Sequence, residues 1–297
     1  MCGISGHVNV KANISKAAME NLVVYLAGGI DSRGGDACGY VSISDTAFKY
    51  AKRCGEWLDA RPRFIEGAIA GDILLMHARY ATCWKKDAES AHPYAIKRNG
   101  RVVLWGAHNG MIPNAGDIAK KNGRELTVDS KEIFECIADK NYDDLHQMNG
   151  YGVITWIDAA KPDHVKLARL SSNSDIHVVQ LVEGGIVWGS TKNIVDAAVE
   201  AAGLTVEYPF EVDKIGTVYT ICKDGFFFTE NDQVHLKKYE AVTHNYTGYK
   251  QYSPFNHGYA SGGADEEEYA EMYTRWHKDN DKDKDEIGSR YLTKGMS

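Results

Sequence analysis

Hydrophobic positions along the chain fall mainly into short runs of the length and composition of β-strands, and a few segments have helical spacing instead. Helical spacing occurs at 15–26, where a serine is available as N-cap, and again at 130–138 and 193–202. Many strands with a few clustered helices predict packed sheets that carry helical layers. Strands are predicted at 3–10, 38–45, 72–81, 102–107, 152–157, 165–170, 177–181, 185–189 and 218–222.

The pattern changes after about residue 240. Tyr, Asn, Gly and Ser dominate 243–263, and a charged stretch follows at 265–286. We therefore predict one domain over 2–240 and a polar C-terminal extension over 241–297. Helical spacing would place four large side chains on one side of a helix there, and it leaves three alternatives open: a docking helix, a helix packed on its own domain, or partial disorder. These side chains are Tyr269, Met272, Tyr273 and Trp276.

Composition narrows the classes of function. The chain has 297 residues and a formal charge of −7, which argues against a broad nucleic-acid-binding face. Its six cysteines include no CxxC pair and no Cys/His spacing typical of zinc, so we expect no metal, no other cofactor and a reducing, cytoplasmic setting. No apolar run approaches the ~20 residues of a membrane-spanning helix, and no membrane partner is expected.

The second residue, Cys2, is the first candidate for chemistry. If Met1 is trimmed, Cys2 carries a thiol and a free α-amine on one residue. An α-amine, which ordinarily titrates near pH ~8, can take the proton of the thiol, directly or through a water. Nucleophile and base would then be one residue, although a cysteine that merely begins an edge strand is the ordinary alternative.

Four strings further along supply the groups that a nucleophilic thiol needs. HARYAT places Arg79 at a strand end, where a guanidinium can hold a carboxylate, and HNG offers the N–H groups of Asn109 and Gly110 as an oxyanion hole. VDS puts Asp129 at a helix start, where it can bind an ammonium group or cap the helix. RGGDACG, residues 33–39, is a loop with an acid flanked by glycines. Taken singly, each string also has a purely structural interpretation: a turn, a helix cap or a surface ion pair.

In this order, behind CGI, the strings resemble the class II glutamine amidotransferases, a family of N-terminal-nucleophile hydrolases. The resemblance covers residues 2 to about 230 and implies an α+β fold, a four-layer αββα sandwich. It implies Cys2 as nucleophile, Asn109 and Gly110 as the oxyanion hole, Arg79 for the α-carboxylate of glutamine and Asp129 for its α-ammonium. Thr82 and His108 are placed with the substrate-binding residues.

Two positions depart from the family pattern. Met76 stands where glycine is common before the histidine of HARYAT, and Val128 precedes Asp129 where Thr or Ser is usual. Tyr80 occupies a position where many members have Trp or Tyr. A further string, AGGIDS at 27–32, is similar to the pyrophosphate loop of ATP-pyrophosphatase synthetases, but a helical segment precedes it. We interpret it as the loop that enters RGGDACG, with no nucleotide site.

The function implied by the resemblance is hydrolysis of the side-chain amide of L-glutamine to glutamate and ammonia. About sixty residues follow the family's domain, too few for the usual fused synthetase, so a separately encoded ammonia acceptor is expected, with nucleobase or 7-deazaguanine modification as one candidate pathway. Two alternatives remain open: a hydrolase of other γ-glutamyl amides, and a non-catalytic regulatory or scaffold subunit. The oligomeric state is not indicated, and a homo-oligomer is compatible with the sequence.

Overall fold

The computed structural model describes residues 2–10, 14–81 and 87–237. Thr82 and the extension at 241–297 lie outside this part of the chain, so the expectations for them stay predictions. Within it, the chain forms two antiparallel sheets and six helices, which confirms the α+β class.

The first sheet has seven strands in the order β11-β9-β10-β1-β4-β2-β3. The strand β1 lies between β10 and β4, and Gly3 faces Ala78 across the β1–β4 pair. Its strands are β1 (Gly3–Val8), β2 (Ala37–Ile43), β3 (Phe48–Cys54), β4 (Ile73–Arg79), β9 (His177–Leu181), β10 (Ile186–Gly189) and β11 (Val206–Phe210).

The second sheet has six strands in the order β13-β12-β8-β7-β6-β5. The longest, β6, pairs with β5 on one side only as far as Gly106 and with β7 on the other side from Leu104 to Met111. Its strands are β5 (Tyr94–Arg98), β6 (Arg101–Met111), β7 (Tyr151–Asp158), β8 (His164–Arg169), β12 (Thr217–Cys222) and β13 (Phe227–Gln233).

Three apolar clusters show how the layers stack. One lies between the two sheets and includes Ile4, Leu75 and Trp105. A second packs α1 (Lys16–Asp31), α2 (Pro62–Ile69) and α6 (Lys192–Ala201) on the outer face of the first sheet. A third packs α3 (Ala115–Lys121), α4 (Asp129–Ala138) and α5 (Tyr142–Gln147) on the outer face of the second. Helix, sheet, sheet and helix follow in order, as predicted.

Two elements extend beyond their predicted ends. The helix α1 is capped by Ser15, whose Oγ accepts the Ala18 N–H at 3.1 Å, and it continues through Asp31 instead of ending at Leu26. The AGGIDS string is therefore mostly helical and not a loop. A Cβ on Gly29 would lie 2.9 Å from the side chain of Ile194 on α6, so the glycine permits close packing of two helices.

The second extension concerns the strand β6. It was expected to end at Ala107 and instead runs through Met111. Asn109 and Gly110 therefore lie in a strand that is paired with β7, and they do not form a turn.

Candidate active site

Cys2 and Arg79 lie side by side at neighbouring strand ends. Cys2 directly precedes β1, Arg79 is the last residue of β4, and the antiparallel register places Gly3 opposite Ala78. The Tyr80 N–H donates to the Cys2 Sγ at 3.3 Å. Arg79 is buried and Cys2 is half-buried. The thiol thus lies against the backbone of Tyr80, the residue that follows the arginine.

The loop after α1 fixes both strand ends. The Arg33 Nε donates to the Cys2 carbonyl at 3.0 Å. The Asp36 carboxylate accepts the Ala81 N–H at 2.8 Å, and the Asp36 N–H donates to the Arg79 carbonyl at 3.0 Å. No role was predicted for either side chain. Their place in the RGGDACG string, which matches the family pattern, was the signal that marked them.

Asn109 and Gly110 lie on β6 beyond the last residue that pairs with β5. The Gly152 carbonyl, opposite Gly110, accepts the Leu170 N–H at 2.8 Å and so faces away from β6. Because antiparallel pairs alternate between hydrogen-bonded and non-hydrogen-bonded, the Gly110 N–H points to the open side of β6. The Asn109 side chain makes no hydrogen bond within the described residues. Two N–H donors are therefore available to an incoming oxyanion.

Position 110 accepts only glycine. A Cβ there would lie 1.9 Å from the Tyr151 carbonyl oxygen and 2.4 Å from the His108 Nε2. Real Cβ atoms do not approach so closely, and the contacting carbonyl belongs to the paired strand. Any side chain at position 110 would therefore push β6 away from Tyr151 and from the ring of His108.

His108 is fully enclosed between β6 and α4. Its Nδ1 lies 2.9 Å from the Ser130 Oγ and its Nε2 lies 3.1 Å from the Tyr151 carbonyl, so Nε2 donates and Nδ1 accepts. Burial lowers the pKa of His108, and the ring is neutral. Both ring nitrogens contact protein groups, so neither is free to bind a ligand directly, and a substrate-binding role for His108 stays a prediction.

His77 links the two sheets behind this pocket. Its Nε2 donates to the His108 carbonyl at 3.3 Å, from β4 in one sheet to β6 in the other. Burial lowers the pKa of His77 to about 3, which keeps the ring neutral. The hydrogen bond holds the strand that ends in Arg79 against the strand that carries Asn109.

Asp129 begins α4 but does not cap it. The N-cap position is Val128, which makes no side-chain cap bond. The Asp129 Oδ2 accepts the Ile112 N–H at 2.9 Å from the segment after β6. The carboxylate is half-exposed, and its negative charge raises the pKa of the Cys2 thiol.

The thiol of Cys2 is held in its protonated form. Burial raises its pKa above the ordinary value, and the Asp129 carboxylate adds to this effect. The Tyr80 N–H and the Arg79 guanidinium act in the opposite direction without reversing it. A base is therefore needed to take the proton when the sulfur attacks.

Within the described residues, no group of three or more His, Cys, Asp or Glu side chains is arranged to hold a metal ion. No helix in this part of the chain combines the length and apolar character needed to cross a bilayer.

No protein-family model matches the chain. Among curated proteins it is similar to glutamine–fructose-6-phosphate aminotransferases (isomerizing). The protein of Clostridium acetobutylicum is 26% identical over 185 residues, 58% of this chain and 29% of that protein. The protein of Legionella pneumophila is 34% identical over 115 residues, 38% of this chain and 17% of that protein.

The chain is similar to the class II glutamine amidotransferases. The solved structures agree on the fold. The Bacillus subtilis glutamine phosphoribosylpyrophosphate amidotransferase matches with a TM-score of 0.58 at 18% identity, over 77% of this chain and 49% of that one. A structure described as the allosteric regulatory enzyme of purine biosynthesis matches with the same TM-score. Resemblance to the family and the N-terminal-nucleophile type of fold are thereby confirmed.

The chain spans less than a third of the length of these two curated proteins and about half of these two solved structures. The shared part is the αββα domain that places Cys2, Arg79 and Asn109 at one end of the two sheets.

Proposed function

We propose that this chain hydrolyses the side-chain amide of L-glutamine through a thioester on Cys2 and delivers ammonia to an acceptor enzyme. The proposal rests on the position of Cys2 beside Arg79 at adjacent strand ends. Asp129 raises the pKa of the Cys2 thiol, and β6 supplies the unpaired N–H donors of Asn109 and Gly110. The names of the relatives, which describe glutamine-dependent amino transfer, support the same substrate.

Two side chains of opposite charge are proposed to bind the zwitterionic end of glutamine. Arg79 presents a guanidinium to the α-carboxylate of glutamine, and Asp129 presents a carboxylate to the α-ammonium. This pair holds the zwitterionic end and leaves the side-chain amide to extend toward Cys2. Thr82 is proposed for the same pocket from its place in HARYAT.

Attack transfers the thiol proton to a base while the sulfur bonds to the amide carbon. The proposed base is the α-amine of Cys2 after removal of Met1, and the raised pKa of the thiol makes that transfer necessary. The amide oxygen becomes an oxyanion held by the Asn109 side chain and the Gly110 N–H.

The collapse of this intermediate breaks the C–N bond. The protonated amine returns its proton to the leaving nitrogen, ammonia departs and a thioester remains on Cys2. Water then attacks the thioester with the same amine as base, and glutamate leaves as the thiol is restored.

The ammonia acceptor is proposed to be a separately encoded synthetase, with nucleobase or 7-deazaguanine modification as the candidate pathway. The cysteine pattern of the chain supports a cytoplasmic setting for the reaction. The same glutamyl pocket would accept a larger γ-glutamyl amide, so product analysis with both kinds of substrate belongs to the test.

A glutamine analogue carrying a diazoketone tests the nucleophile. We expect intact and peptide mass spectrometry to show Met1 missing and a single adduct on Cys2, with glutamine protecting the thiol. A Cys2→Ala variant should take no label. Cys54→Ser, which removes an exposed cysteine outside the site, should label as the unchanged protein does. Retained Met1 with no adduct would refute the mechanism and favour a regulatory or scaffold role.

A further inference from the structure

A cleft of about 780 Å³ lies at the end of the sandwich opposite Cys2. Its walls are the turns that join β2 to β3, β5 to β6 and β7 to β8, together with the first residues of β4 and β6. Its volume is in the range of small-molecule sites. Asn109 is seven residues along β6 from Val102 in this cleft, about 23 Å at the rise of a strand. The cleft is thus separate from the candidate active site.

The inner wall of the cleft is aromatic and holds an unsatisfied donor. Trp105 is 3% exposed, and its ring lies 4.9 Å from that of Phe48 between centroids, at 60°. The Trp105 Nε1 is buried and has no hydrogen-bond acceptor among the described residues. A buried indole N–H normally finds a partner, and leaving it unpaired costs free energy. The position favours a ligand with an acceptor atom beside a flat ring.

The mouth of the cleft carries two cations that form no ion pair among the described residues. Lys97 and Arg101 flank the β5–β6 turn, both are exposed, and neither forms an ion pair within the described part of the chain. The acidic residues of the wall are already engaged, since Asp45 pairs with Lys223 and Asp163 hydrogen-bonds His164.

We propose that this cleft binds a small planar aromatic anion. The ring would lie against Trp105 and Phe48, an acceptor atom would take the indole N–H, and the anionic group would lie between Lys97 and Arg101. The free donor and the two free cations each match one part of such a ligand. Nothing in this proposal depends on glutamine hydrolysis.

The probe for the first test is 1-anilinonaphthalene-8-sulfonate, a fluorescent aromatic anion. We expect saturable binding to the full-length protein at one site, unaffected by glutamine and by Cys2→Ala. Replacing both cations, Lys97→Gln with Arg101→Gln, should weaken binding at least about tenfold. Trp105→Phe keeps the apolar ring without the N–H and should weaken it severalfold. Lys120→Gln, an exposed lysine on α3, is the charge control.

Displacement of the bound probe by competing ligands then distinguishes a nucleotide from an aromatic carboxylate as the natural ligand. Adenosine monophosphate represents a nucleotide and indole-3-acetate an aromatic carboxylate, with adenosine and inorganic phosphate as half-ligands. Displacement by either aromatic anion, and much weaker displacement by the half-ligands, supports the proposal and identifies the class. It is overturned if neither anion displaces the probe, or if the charge and Trp105 variants, folded by circular dichroism, bind it as tightly as the unchanged protein.

Discussion

The two ends of the sandwich use the same central strands in different ways. At one end β4 finishes in Arg79 beside Cys2, and the His77 ring ties β4 to β6 by a hydrogen bond to a backbone carbonyl. At the other end Lys223, which follows β12, bridges the sheets by ion pairs with Asp45 and Asp72, and the Trp105 N–H is left without a partner among the described residues. At the Cys2 end the bond between the sheets is fully buried, whereas at the other end the ion pairs border an open cleft.

Side-chain hydrogen bonds between elements make the candidate active site more rigid than the cleft. Two charged side chains of the candidate active site bond to a different element: the Arg33 Nε donates to the Cys2 carbonyl, and Asp129 accepts the Ile112 N–H. Groups fixed in this way need little rearrangement when charge develops on a substrate. The cleft end has the unpaired Trp105 N–H and the cations Lys97 and Arg101 instead, which are groups that a ligand can bind.

The largest effect that separates the two ends is expected from Asn109→Ala. Loss of an oxyanion donor should lower kcat for glutamine about 10² to 10³-fold, with a smaller change in KM. Probe binding in the cleft should not change. Steady-state glutamate release measures kcat and KM, and the fluorescence titration measures probe binding. Asn173→Ala, an exposed asparagine outside the site, is the control, and a loss of kcat below about fivefold would remove Asn109 from the oxyanion hole.

A smaller effect, on binding, is expected from Asp129→Asn. The amide oxygen can still accept the Ile112 N–H, so the change mainly removes the negative charge. KM for glutamine should rise about 10 to 100-fold, the cost of losing a hydrogen bond to a charged group. Because the carboxylate raises the pKa of Cys2, the variant's thiol should titrate at lower pH.

The pH dependence of Cys2 alkylation by iodoacetamide measures this shift, and initial rates measure KM. Asp143→Asn, an exposed acid on α5, controls for the change in net charge. An unchanged KM would show that the α-ammonium of glutamine is held by another group.

Features of the fold and of the candidate site that depend on local sequence patterns could be predicted. Strand and helix periodicity led to packed sheets that carry helical layers, and the resemblance to the family specified four layers. The ordered strings indicated Cys2, Arg79, Asn109 and Asp129 as the residues to examine. Their chemistry is carried by residue type and by position at strand or helix ends, both of which are readable from one chain.

Contacts between distant elements could not be predicted in the same way. The helix α1 passes through Gly29 because Ile194 packs there, and β6 passes through Asn109 because β7 pairs with it. The bond from His77 to β6 depends on the spacing of two sheets, and the unpaired Trp105 N–H depends on what surrounds it. A hydrophobic pattern contains none of these distances.

The smallest effect, and the one that tests the tie between the sheets, is expected from His77→Gln. The folded-state pKa of about 3 lies below the ordinary value of 6.5, so between these values the unfolded chain binds a proton that the folded chain does not. Stability should therefore be fully present above pH ~6.5 and fall as the pH drops toward 3, by about 1.4 kcal/mol per pH unit for this group. The side-chain amide introduced by His77→Gln can still donate to the His108 carbonyl, but it does not titrate.

Urea unfolding of the unchanged protein and of His77→Gln, at pH 4.5, 5.5, 6.5 and 7.5, isolates this contribution. Burial also lowers the pKa values of His92 and His108, so acid sensitivity should persist in the variant with about one proton fewer. Because the flexible glutamine amide fixes β6 less firmly than the imidazole ring does, kcat should fall about tenfold while probe binding in the cleft stays the same. Equal pH slopes would show that His77 is not buried and neutral, and an unchanged kcat would show that the tie between the sheets does not position Asn109.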